Sequence, residues 1–185
     1  MILPSGRALL DPHKILKEAG LADGQTYADF GCGTLGHFVI PASTIVGEQG
    51  KVYALDILKK ALSAVEDRTK SEKIFNLQIV WSDLEHEKGT VEIPESSVDL
   101  VSFVNITGLI LKNQIVIDNV KRVLKVGGRL VLVDWQPNSI LARMLSVHKT
   151  DQAKLKQVLE QNGFHLLKSF PAGLNHFGLL LEKGQ

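Results

Sequence analysis

The chain has 185 residues, 44% apolar and 22% charged, with a formal net charge of +1. That length suits one domain with its own core, and the composition excludes a disordered or membrane-embedded chain. Near-neutrality removes any global field for nucleic acid or an acidic membrane, and a single cysteine, Cys32, excludes an internal disulfide or a Cys-rich metal cluster.

Residues 1–7 lack the basic start and apolar core of a signal peptide. The most apolar region, Val98 to Leu111, is broken by Asp99 and Asn105 and falls short of the ~18 residues of a membrane span. A soluble, cytoplasmic protein is expected. In chain order, Asp11-Pro12 reads as a cap with proline at the first helical position, and Ile15, Leu16 and Ala19 form one stripe before Gly20. A strand follows at about 26–31, then a glycine turn and a helix at about 36–47. A second strand is expected at 51–56, a helix at about 58–69 and a third strand at 76–82.

Val98 to Val104 reads as a buried central strand. Asn113 can cap a helix carrying Ile117, Val120 and Leu124, with Gly127-Gly128 expected to end it. Arg129 to Trp135 predicts a fifth strand, and Pro137 to Lys149 a connection. Thr150 or Asp151 starts a helix with Leu155, Val158 and Leu159 on one face, stopped at Asn162-Gly163. Two closing strands, Phe164 to Phe170 and Phe177 to Glu182, are joined too closely for a helical crossover and must be antiparallel. The alternation predicts an α/β fold: a doubly wound, Rossmann-like sheet of seven strands, mostly parallel, with a C-terminal antiparallel pair and helices on both faces. Residues 1–185 read as one domain, with 1–20 an N-terminal helical segment over the site.

The chemistry concentrates in Tyr27-Ala-Asp-Phe-Gly-Cys-Gly-Thr-Leu-Gly36 and in Asp56, which closes the run Lys51-Val-Tyr-Ala-Leu-Asp56. Glycines let a backbone turn tightly beneath a ligand, and a carboxylate after the second strand can accept from vicinal ribose hydroxyls. This is a pocket for an adenosine-containing cofactor. Gly31-Cys-Gly33-Thr-Leu-Gly36 matches the dinucleotide pattern literally and would favour NAD. Asp29, two residues before the glycines, argues otherwise, because an anion there opposes a pyrophosphate and suits an ammonium. Trp81-Ser-Asp83 adds an acid at the end of the third strand, and the closing strand pair points the same way.

On these motifs, together with Ser97 to Asn105 and Val120 to Asp134, the chain resembles the class I S-adenosylmethionine-dependent methyltransferases over nearly its whole length. It departs from the family in placing Gly36 one residue late, after Leu35, and in carrying Val126 where proline is usual. The resemblance implies S-adenosyl-L-methionine as cofactor and a cofactor site of Asp29, Gly31, Cys32, Gly33, Asp56, Ile57, Asp83, Leu84 and Asn105. In it Gly31 to Gly33 pass beneath the methionine part, Asp29 favours its ammonium and Asp56 holds the ribose. Ile57 packs on adenine, Asp83 and the Leu84 backbone read its edge, and Asn105 lies near the sulfonium.

Asp134 and Trp135, at the end of strand five, are the substrate-facing candidates. No catalytic base is assigned, since transfer from a sulfonium releases a neutral thioether and rests on placement. Cys32 reads as a small filler and His37 as a neutral structural residue, whereas His13, His148 and His176 have no metal spacing and read as surface residues. A small-molecule methyl acceptor is expected, with nucleic acid disfavoured, no membrane partner and no metal. Brief connections at Met1–Asp11, Thr107–Lys112 and Pro137–Lys149 suggest an open pocket that a second subunit would complete, leaving a homodimer as an option. The alternatives are a noncatalytic S-adenosylmethionine-binding protein and an NAD-dependent oxidoreductase.

Overall fold

A computed structural model describes residues 10–147 and 150–185. The short connection that follows Val147 is therefore covered only in part, and His148 lies outside the described residues, as do Met1 to Leu9 of the N-terminal segment.

The first helix, α1 (Pro12–Glu18), starts as its sequence dictates: the Asp11 carboxylate accepts from the Lys14 N–H at 3.1 Å, and Ile15, Leu16 and Ala19 are buried. Then come β1 (Thr26–Phe30), α2 (Val39–Val46), β2 (Lys51–Asp56), α3 (Lys59–Glu72), β3 (Leu77–Trp81) and β4 (Val98–Val104). A short α4 (Gly108–Lys112) precedes α5 (Gln114–Val123), β5 (Leu124–Trp135), α6 (Ile140–Met144) and α7 (Gln152–Gln161). The strands β6 (Phe164–Pro171) and β7 (His176–Lys183) finish the chain.

One seven-stranded sheet runs β3-β2-β1-β4-β5-β7-β6. The first five strands are parallel, and β7 pairs antiparallel with both β5 and β6, as the short link requires. Because side chains alternate across a strand, β1 sends Ala28 and Phe30 to one face and Tyr27 to the other. The first face packs against α5 and α7 through Val116, Ile117, Val120, Leu155 and Leu159. The second packs against α1, α2 and α3 through Ile15, Leu16, Val39, Val46 and Val65. The strand order reverses between β1 and β4, which opens a crevice at their C-terminal ends.

Two local expectations are corrected, and one open connection gains a structure. Regular helix α2 begins at Val39 rather than 36, because Gly36 sits in the left-handed region (φ +55°) and its N–H bonds back to the Gly33 carbonyl. The Gly127-Gly128 pair does not end a helix: α5 stops at Val123, and β5 starts at Leu124 and runs through both glycines. The connection after β5 holds α6, capped by Ser139, whose Oγ accepts from the Ala142 N–H at 3.0 Å. Among the described residues no helix is long and apolar enough to cross a membrane.

Candidate functional site

At the crevice the chain leaves β1 through Gly31 (φ +86°) and Gly33 (φ +63°), backbone conformations that side chains disfavour. A Cβ at Gly31 would fall 2.5 Å from the Ile106 side chain, whereas one at Gly33 would meet no protein atom within 4 Å. The loop is tied to β2, since the N–H groups of Gly31 and Cys32 both donate to the Leu55 carbonyl at 2.9 Å. Asp56 holds it from above: one carboxylate oxygen accepts from the Gly33 N–H at 3.0 Å and the other from Leu58 N–H at 2.9 Å. A carboxylate offers roughly four acceptor sites, so both oxygens keep capacity for a ligand.

Asp29, the last residue but one of β1, has 2% of its surface exposed. The β1–β4 register sets Ser102 opposite it, and the Ser102 hydroxyl donates to Asp29 at 2.5 Å. Tyr27, two residues earlier on the same face, reaches Ser102 Oγ at 2.5 Å, so a hydroxyl relay fixes the carboxyl. Burial raises the Asp29 pKa to about 7; the Ser102 bond opposes this, and the charge of Asp56 adds to it. Burial likewise pushes the Cys32 thiol well above its usual value, with Asp29 and Asp56 adding to the effect. Cys32 is thus a buried filler rather than a nucleophile.

A cavity of about 300 Å³ opens here, with Asp29, Gly31, Cys32, Gly33, Asn105 and Trp135 in its wall. Asn105 adopts φ +61° directly after β4, and its N–H donates to the Val133 carbonyl at 2.8 Å. Asp56 joins this group through Gly33. Ile57, Asp83 and Leu84 stand outside the cavity wall, further along the same sheet edge. Ile57 and Trp81 expose about half of their surface, and the Trp81 Nε1–H donates to the Ile57 carbonyl at 2.9 Å. Asp83 accepts from the Glu85 N–H at 3.0 Å, while the Leu84 side chain is buried and its carbonyl accepts from Asn119 at 3.1 Å.

Asp134 does not line this cavity. It is 2% exposed, and its carboxylate accepts from the hydroxyls of Thr107 and Thr150 and from the Trp135 N–H. Of the expected pair only Trp135 lines the cavity. His176 is also corrected: it is 1% exposed and belongs to the same wall, because its antiparallel pairing with Trp135 brings it to the crevice. His13 is exposed, as expected. Ser102 and Tyr27 are the other residues that sequence reasoning missed. The signal for them was a polar residue inside the apolar run 98–104 and an i, i+2 relation to Asp29.

A doubly wound sheet with a glycine loop, a buried acid beneath it and a second acid after β2 defines an adenosine-cofactor class of protein. The family model described as a methyltransferase domain matches residues 21–163, and the chain belongs to this family, the class I S-adenosylmethionine-dependent methyltransferases. A demethylmenaquinone methyltransferase of Oceanobacillus iheyensis is 30% identical over 132 residues, covering 68% of this chain and 51% of the relative. A protein of Sulfurisphaera tokodaii, named for cobalt-precorrin-6B C(15)-methylation (decarboxylating), is 32% identical over 117 residues, covering 63% and 57%. The chain therefore spans little more than half the length of these curated relatives. Among solved structures, a SAM-dependent methyltransferase from Aquifex aeolicus shares the fold with a TM-score of 0.81, at 24% identity over 97% of this chain and 93% of that one.

Proposed function

We propose that this chain transfers a methyl group from S-adenosyl-L-methionine to a small-molecule acceptor. The observation that carries the reading is the cavity at the ends of β1 and β4, where Asp29 lies beneath two left-handed glycines whose loop Asp56 fastens. When bound, the cofactor supplies a methyl group on a sulfonium, whose departure as a neutral thioether requires no acid.

The residues fit that group. Asp29 holds the amino-acid ammonium, and the approaching cation favours the ionised carboxyl that burial alone disfavours. Gly33 presents its backbone with no protein atom over it, Gly31 and Cys32 complete the turn, and Asp56 accepts from the ribose hydroxyls with its remaining lone pairs. Ile57 packs on adenine, Asp83 and the Leu84 backbone read its edge, and Asn105 borders the sulfonium. The buried acid also weighs against NAD, since a pyrophosphate in this loop would face it with no compensating cation.

The relatives' names mention a quinone precursor and a corrin precursor, which supports a small organic acceptor. Labelled methyl transfer from S-adenosylmethionine to a panel of quinols, phenols and amines tests the reading. Turnover that falls at least tenfold in Asp56→Ala supports it. Tight cofactor binding with no transfer to any member would favour the noncatalytic binder. A homodimer belongs to the same proposal, because the helices after β4 and β5, α4 and α6, are short, and a cytoplasmic setting is proposed beside it. A purely monomeric mass by light scattering would remove the dimer.

A further inference from the structure

His176 opens β7 directly opposite Trp135 and lines the cavity, yet neither of its ring nitrogens has a hydrogen-bond partner among the described residues. Its ring packs on Trp135 with centroids 4.1 Å apart and planes 38° apart. A neutral imidazole has one N–H to donate and one lone pair to receive. Both nitrogens are buried, and buried polar groups nearly always find partners, so the pair remains free for a group that enters the cavity.

The strand order says which end of the cavity this is. β1, β4, β5 and β7 are successive neighbours, and each step moves about 4.8 Å, which sets His176 roughly 14 Å across the sheet from β1. The methionine part of the cofactor would lie over Gly31 and Gly33, at the β1 side. His176 and Trp135 stand beyond Asn105, on the acceptor side. The described residues lining the cavity include no Lys or Arg, and Asp29 is among them. An anionic acceptor would find no protein counter-charge there, whereas an uncharged one needs none. Phe38, Val104 and the indole of Trp135 form an apolar wall suited to a flat ring.

Resting on the methyl-transfer reading, we propose that His176 is the general base, taking the proton from an uncharged ring-borne hydroxyl, a phenol or enol, whose ring lies against Trp135. As the hydroxyl oxygen forms its bond to the methyl carbon, the C–S electron pair stays with sulfur and the O–H proton passes to the free ring nitrogen. The products are the methyl ether, a neutral thioether and an imidazolium. One positive charge thus moves from sulfur to His176. Burial holds the imidazole below its ordinary pKa against the opposing pull of Asp134, so it is unprotonated at neutral pH and ready to accept. Asp134 is the nearby carboxylate whose charge acts on it, from the opposite face of the sheet, and Asp29, Cys32 and His37 share its cavity.

Nitrogen NMR of the protein labelled with ¹⁵N-histidine tests this without turnover. The protein is first saturated with S-adenosylhomocysteine, then titrated with phenol, and in parallel with toluene, which has the ring but no hydroxyl. The expected result is a saturable shift of the His176 ring nitrogens with phenol and none with toluene. His176→Leu should weaken phenol binding about tenfold, the value of one lost hydrogen bond to a buried group, and leave S-adenosylhomocysteine affinity within about twofold. Phenol and toluene acting alike at His176 would overturn the assignment, and so would equal phenol affinity in the variant. If the variant does not fold, the wild-type comparison of the two probes still decides. Failure of S-adenosylhomocysteine to bind at all would instead overturn the methyl-transfer reading.

Discussion

Asp29 is where burial and ligand chemistry meet on one side chain. Its pKa is about 7 in the folded chain against 3.8 for the ordinary group. The folded state therefore holds a proton that the unfolded state has released, and stability falls as pH rises from about 4 to about 7, then levels off. Asp29→Asn removes this slope. Denaturation of both proteins at pH 4.5, 6 and 7.5 should show the variant gaining on wild type by up to ~1.4 kcal/mol per pH unit in that window. A cofactor ammonium would favour the ionised carboxyl, so S-adenosylhomocysteine affinity should rise up to about tenfold per pH unit as pH approaches 7 and flatten above it. Affinity independent of pH between 5.5 and 7.5 in wild type would contradict this. Asp29 itself was legible because an acid two residues before a glycine turn follows from local sequence. Its partners were not: Ser102 meets it only through the β1–β4 register, and His176 reaches the cavity only because β7 runs antiparallel beside β5.

At the level of elements, two polar side chains fasten irregular chain to regular structure. Asp134 at the end of β5 draws in Thr107, just before α4, and Thr150, just before α7. Asp134→Ala leaves both buried hydroxyls without this acceptor and should cost about 2–4 kcal/mol in urea denaturation. Asp134→Asn, which keeps an acceptor oxygen, should lose distinctly less. Arg122 on α5 does the same for the segment between β3 and β4, donating to the carbonyls of Thr90 and Ile93. Arg122→Ala should destabilise by about 1–3 kcal/mol while leaving cofactor affinity unchanged, a combination that separates scaffold from site. A loss below 0.5 kcal/mol, roughly the effect of an ordinary surface substitution, would remove Arg122 from this role. Order and direction of the elements followed from hydrophobic period and caps such as Asp11, Asn113 and Asp151. The start of β5 did not, because Gly127-Gly128 looks like a helix stop until parallel pairing with β4 carries the strand through it.

At the scale of the whole molecule, the two helical layers cover opposite faces of one sheet, and the crevice lies where the winding changes direction. On the proposed reading, position on the edge would assign the chemistry: the ends of β2 and β3 toward adenosine, the β1 loop toward methionine, and the ends of β4 and β5 with the start of β7 toward the acceptor. Binding that spans this edge should stabilise the fold as a unit, by about 2.7 kcal/mol at a ligand concentration of 100 Kd. Calorimetric titration of the purified protein with S-adenosylmethionine, S-adenosylhomocysteine and NAD, alongside Asp56→Ala, tests the account most directly. The account predicts micromolar binding of the first two, weakened at least tenfold in the variant, and no binding of NAD. Binding of NAD alone would contradict it and return the glycine loop to its literal dinucleotide reading.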